Sequence, residues 1–216
     1  VRLTNNDNCS ACHIPKSGAI DIPHVSISDH KIQIPGEAVK MGDGKFIGLV
    51  SLTTDKPDAL LMARGYLHYF ESFNSDRALL DSVKYYLDKT AEKNDSYSAV
   101  LIHYYYLQQD YKNIITTSSA FKKLTKLDAW TAYRVGEAFL NTQSYTEAAT
   151  YFQQAVNEEK YNLDYNFKLA TAKIFSGKSE EAENLLQFIV AENPTYHMAW
   201  NNLGVLQAGK GNYLEA

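Results

Sequence analysis

A mainly α-helical solenoid behind a short irregular head is the fold class this sequence predicts, and three observations predict it. From about residue 58 onward the sequence repeats at 34 residues. The head, residues 1–57, holds four of the chain's five prolines, Pro15, Pro23 and Pro35 within it and Pro57 at its end. It also holds Gly18, Gly36, Gly42, Gly44 and Gly48, and such punctuation prevents long helices. Both cysteines, Cys9 and Cys12, lie in this head. The 216 residues are 45% hydrophobic, enough to bury a core, and carry a net charge of −4. That charge supplies no general field for nucleic acid or an anionic membrane. No apolar run approaches the roughly 20 residues of a membrane span. Two cysteines cannot supply a disulfide framework. The chain opens on Val1 without a charged-then-apolar leader and stops at Ala216 in mid-pattern, so a piece of a longer or processed protein is expected.

In chain order, the head's "HVSISDHKIQIP" alternates Val25 with Ile27 and Ile32 with Ile34, which predicts short extended pieces. "KFIGLVSL", from Lys45, fits either a strand or a buried loop. Asp55 and Pro57 read as the start of the first helix. The body then falls into units 61–94, 95–128, 129–162, 163–196 and 197 onward, the first two matching only in apolar periodicity. Tyr111 and Tyr145 lie one period apart, and Tyr213 two periods beyond. Ala148, Ala182 and Ala216 are successive steps of 34. Phe152 pairs with Leu186 in phase, and Ala155 with Ile189. Small residues at Gly136, Gly204 and Ala170 are expected to let two backbones approach, while Phe152 and Leu186 fill the space between stacked units. Gly177 and Gly209 fall where a first helix should end in left-handed geometry. Pro194 closes one unit.

With Trp200, Leu203 and Gly204 in the last unit, and Gly136, Phe139, Ala148, Phe152 and Ala155 in the third, residues 58–216 resemble the tetratricopeptide repeat family, a 34-residue helix–turn–helix unit. One unit cannot bury its own apolar stripe, so stability comes from stacking neighbours. The resemblance implies a concave surface lined by the first helices and used for protein contact. By repeat phase that surface includes Tyr69, Phe73, His103, Tyr106, Trp130, Tyr133, Phe167 and Thr171. Aromatics dominate and basic residues are scarce, which suits an apolar or aromatic partner segment. Packing of the same aromatics between helices is an equal alternative. His68, His103 and His197 read as packed or solvated, because ligand clusters need convergent partners. No hydrolase constellation or glycine-rich phosphate loop is present in the sequence.

The head carries the chemistry. "NCSACHIP" leaves three possibilities open: a local disulfide, a zinc site, or covalent haem. Cys9-x-x-Cys12-His13 has the spacing that attaches a c-type haem. Two thiols three positions apart reach the two vinyl groups on one porphyrin edge, and the next imidazole sits below the iron as proximal ligand. Zinc has a rival set in Cys9, Cys12, His24 and His30, spaced C-x2-C-x11-H-x5-H. Against it, Pro23 and the extended-favouring Val25-Ser26-Ile27-Ser28 argue against the single helix that carries both histidines of a zinc finger, and His13 has no role there. The stretch Cys9–Pro35, with Asp29-His30-Lys31-Ile32-Gln33-Ile34-Pro35 in its second half, resembles the last haem-binding segment of multihaem cytochromes of the cytochrome c554-like group, with Ile14 where that segment has Met.

That resemblance implies haem c bound by Cys9, Cys12 and His13, with His30 or His24 as the distal axial ligand of this or a neighbouring haem. It implies further haem motifs upstream of Val1, and a periplasmic or extracellular location, because attachment follows export. The expected function is electron transfer by a c-type cytochrome, with a repeat scaffold docking a redox partner, the upstream haem domain or further copies of the chain. The alternatives are a non-redox scaffold with a zinc-stabilised head, or part of an oxidoreductase whose catalytic haem lies upstream.

Overall fold

A computed structural model of the chain describes residues 16–18, 26–28, 46–52, 54–119 and 127–211. The chain divides into two compact units, 1–48 and 49–216. In the first, β1 (Lys16–Gly18) and β2 (Ser26–Ser28) pair antiparallel with Ser17 opposite Ile27. β2 lies in the stretch whose alternation predicts an extended piece. Cys9, Cys12, His13, His24 and His30 lie outside the described residues.

The second unit is helical. Its first helices are α1 (Ala59–Ser72), α3 (Asp95–Leu107), α5 (Ala129–Asn141), α7 (Leu163–Phe175) and α9 (His197–Gly209). Between them run the second helices, α2 (Ala78–Lys89), α4 (Tyr111–Ser118), α6 (Tyr145–Glu158) and α8 (Ser179–Glu192). The helices α3, α5, α7 and α9 open at the phase read from the sequence, 95, 129, 163 and 197. Three of these starts share one device. The side chains of Asn94, Asp128 and Asn162, 34 residues apart, accept the backbone N–H of Tyr97, Thr131 and Tyr165 at 3.0, 2.9 and 3.3 Å. Such a cap satisfies a donor that the helix start leaves unpaired. α1 begins earlier than the repeat phase because Asp58, rather than Asp55, caps it, accepting from the Leu60 N–H at 2.8 Å.

The turns between first and second helices repeat as well. Gln109, Gln143, Gly177 and Gly211 all adopt positive φ, at 58°, 62°, 81° and 84°. Each stands two residues beyond its first helix, so Gly211, not Gly209, takes the left-handed position in the last unit; Gly209 is the final residue of α9. Segment 46–52 forms no regular element. Val50 and Leu52 are exposed, while the Leu49 N–H donates to the Tyr66 hydroxyl at 3.2 Å, so the segment is neither strand nor buried loop.

The core follows the repeat. Ala148, Phe152 and Ala155 of α6 are fully buried with Tyr165 and Leu169 of α7. One period on, Ala182, Leu186 and Ile189 of α8 pack with Ala199 and Leu203 of α9. Ile102, Ile114, Val135 and Ala138 join α3, α4 and α5. At Gly136 the close neighbour is a ring rather than a second backbone: an added Cβ would lie 2.7 Å from the Phe152 ring.

Candidate partner-binding groove

Because α3, α5, α7 and α9 open at one phase, residues 34 apart on them face the same way, and two hollows form along the first helices. The first, about 280 Å³, lies among α1, α3 and α5 and is lined by Arg64, His68, Glu71, His103, Asp128 and Arg134, with apolar floor residues Leu67 and Val100. Glu71 Oε1 stands 2.9 Å from His103 Nε2 and 4.0 Å from Arg134 Nη2. The Arg134 guanidinium lies over the Trp130 ring at 5.3 Å and near the Tyr106 ring at 5.7 Å, an arrangement in which ring faces attract the cation. Burial, then the neighbouring Arg134 charge, holds the His103 imidazole below its ordinary range. Burial likewise pushes the Tyr165 phenol up to about 12 and raises that of Tyr133. Two buried polar atoms of this hollow, Arg134 Nε and His103 Nε2, make no hydrogen bond among the described residues, and outside its lining neither do Glu137 Oε1 and Tyr165 Oη. The His103–Glu71 contact is thus close but not aligned as a hydrogen bond.

The second hollow, about 330 Å³, lies between α7 and α9 and is lined mainly by Phe167, Ile174, Phe175 and Val205, with Lys168, Thr171 and Asn202. Val205 and Phe175 are exposed, and Phe175 stacks on Tyr145 at 5.0 Å. Between the hollows Lys168 of α7 meets Glu137 of α5 at 2.9 Å. A separate polar hollow, lined by Thr146, Thr150, Gln153 and Lys173, is set against α6, and its Lys173 is held by Glu181 at 2.5 Å.

The residues expected on the surface divide between groove and packing. His103 lines the first hollow, with Tyr106 and Trp130 flanking its arginine. Phe167 and Thr171 line the second. Tyr133 is half-buried in an aromatic cluster, 5.2 Å from Tyr165 and 5.7 Å from Phe152. Tyr69 packs on Phe73 at 5.6 Å, and Phe73, beyond the end of α1, is exposed. The charged members Glu71, Arg134, Glu137 and Lys168 are not among the residues expected on this surface from repeat phase. A signal was available, since Arg134 and Lys168 lie one period apart, as do His103 and Glu137. Among the described residues no group of three or more His, Cys, Asp or Glu side chains is placed to hold a metal. No described helix is long and apolar enough to cross a membrane.

Comparison with known proteins agrees with the helical fold. The tetratricopeptide repeat family matches residues 167–216. Among solved structures, the chain is similar to MamA from residue 41 to its end, from Desulfovibrio magneticus RS-1, with a TM-score of 0.61 at 16% identity over 73% of this chain and 89% of that one. A MamA RS-1 double mutant gives 0.61 at 18% identity over 74% and 89%. MamA of MSR-1 gives 0.57 at 12% identity over 74% and 91%. At these identities the likeness speaks for the fold alone. No curated protein matches the sequence. The body is therefore a tetratricopeptide-like helical solenoid.

Proposed function

We propose that the helical body is a docking scaffold that holds a segment of a partner protein along the face of its first helices. The observation that carries this is the pair of hollows along the first helices, with half-exposed Trp130 and exposed Phe175 and Val205 beside charged side chains. Aromatic and arginine side chains are the types that dominate binding energy at interfaces. In the first hollow the Thr131 hydroxyl donates to Asp128 at 2.6 Å, a bond that belongs to the cap at the start of α5. Val205→Asp, which places a charge on an exposed position of the apolar hollow, tests the reading. Partner capture that survives both this change and Trp130→Ala would place docking elsewhere.

A second reading concerns the head, and the Cys9-x-x-Cys12-His13 spacing favours it. In it the head binds haem c through Cys9, Cys12 and His13, with His30 or His24 as distal ligand, and the body docks the cytochrome onto a redox partner, an upstream haem domain or another copy. Two axial histidines would leave no open iron position, which fits one-electron transfer. The chain would then work in the periplasm or outside the cell. A pyridine haemochrome spectrum and the intact mass of natively expressed protein check this. Covalent haem should survive denaturation. Stoichiometric zinc without haem would instead support a zinc-stabilised head, and would sink the electron-transfer reading.

A further inference from the structure

The two hollows differ in chemistry, and the difference specifies what fits them. In the first, both acids are already engaged. Asp128 accepts from the Thr131 N–H at 2.9 Å and from its hydroxyl at 2.6 Å, and Glu71 faces His103 and Arg134. The spare capacity lies in donors. Arg134 Nε is buried without a hydrogen-bond partner, and the exposed Arg64 lines the same hollow. An unmet buried donor is costly, and a charged acceptor repays the most. The second hollow is bounded by apolar side chains. Neighbouring helix axes lie roughly 10 Å apart, so Arg134 on α5 and the gap between α7 and α9 are separated by about 15 Å, or roughly four to five residues of extended chain.

We propose that the groove recognises an extended internal segment of a partner protein in which an acidic side chain, bound at Arg134, lies roughly four to five residues from a large apolar side chain seated beside Val205. This deepens the docking reading and rests on it. Glu137 and Lys168, paired with each other between the hollows, leave the middle of the groove without net charge, so the intervening residues need carry none. A through-running segment is favoured because the groove is built from side chains along successive helices, with no closed end among the described residues.

Display of short random segments, flanked on both sides by carrier sequence, on the full chain tests this. Enriched segments should share an Asp or Glu at the stated spacing from Phe, Leu, Trp or Met. Synthetic, end-capped peptides made from them should lose about tenfold or more in affinity when the acid is amidated. That loss should disappear in Arg134→Gln, while Val205→Asp should abolish the apolar preference alone. Arg134→Lys, which keeps the charge but lacks the planar fork, guards against a folding defect and should weaken binding without erasing the acidic preference. Enriched segments that bind in the groove with no acid–apolar spacing would overturn the inference and leave the docking reading standing. So would peptides whose free C-terminus replaces the acid, or a second copy of the chain as the sole occupant. If no segment is sensitive to Val205→Asp or Arg134→Gln, both fall.

Discussion

At Gly136 a single hydrogen atom keeps α5 and α6 in register, since a methyl there would lie 2.7 Å from the Phe152 ring, which is fully buried and cannot swing away. Gly136→Ala should therefore destabilise the body by about 1–3 kcal/mol despite improving helix propensity. Urea denaturation checks this, and Phe152→Leu in the same chain should recover part of the loss. His103 makes a different residue-scale prediction. Burial and Arg134 depress its folded pKa below the ordinary value of 6.5. The unfolded chain thus binds a proton more readily, so this contribution is present above that value and is lost as pH falls through the lowered folded pKa. Glu71 and Asp128 oppose the shift without reversing it. Acidification below about pH 6.5 should lower the unfolding midpoint more in the native chain than in His103→Gln. Equal slopes would show that the imidazole is not held neutral.

Among the elements, the turn after each first helix carries the most instructive repeat. Four residues spaced by 34 hold left-handed backbone, yet only Gly177 and Gly211 are glycines. Gln109 and Gln143 sit there at a steric cost that glycine avoids. Gln143→Gly should stabilise the body by up to ~1 kcal/mol after the glycine's larger unfolded-state entropy is subtracted, read as a shift in melting temperature. The expected helix end points to Gly177 and Gly209, whereas the 34-residue period from Gly177 leads to Gly211, and at Gln109 and Gln143 an ordinary side chain hides the same requirement. The caps at Asn94, Asp128 and Asn162 were visible only as residue types until their 34-residue spacing met the helix starts. Helix existence and phase were thus legible from alanine, glycine and aromatic periodicity. The groove's ion pairs were not, because period tells which face a residue occupies but not which neighbour its long side chain reaches. The haem-type motif is legible as chemistry, and its residues lie outside those described.

For the whole body, each core layer joins adjacent helices only, as with Phe152 among α5, α6 and α7, or Leu186 among α8 and its neighbours. Stability in such a stack is close to a sum of neighbouring terms. Phe152→Ala, costing about 3–5 kcal/mol, should raise hydrogen exchange most in α5, α6 and α7 and least in α1 and α2. Uniform loss of protection would instead mean that the stack opens as one unit. The equal spacing of helix starts at 95, 129, 163 and 197 also governs how this chain can change in length. One residue inserted within a helix turns everything after it by about 100° on that axis, swinging core side chains outward and groove side chains inward. An insertion of a whole 34-residue unit leaves every later face where it was and adds one more first helix to the docking surface. The body can therefore be lengthened by duplication in whole steps, gaining room for a longer partner without any of its existing contacts being redesigned.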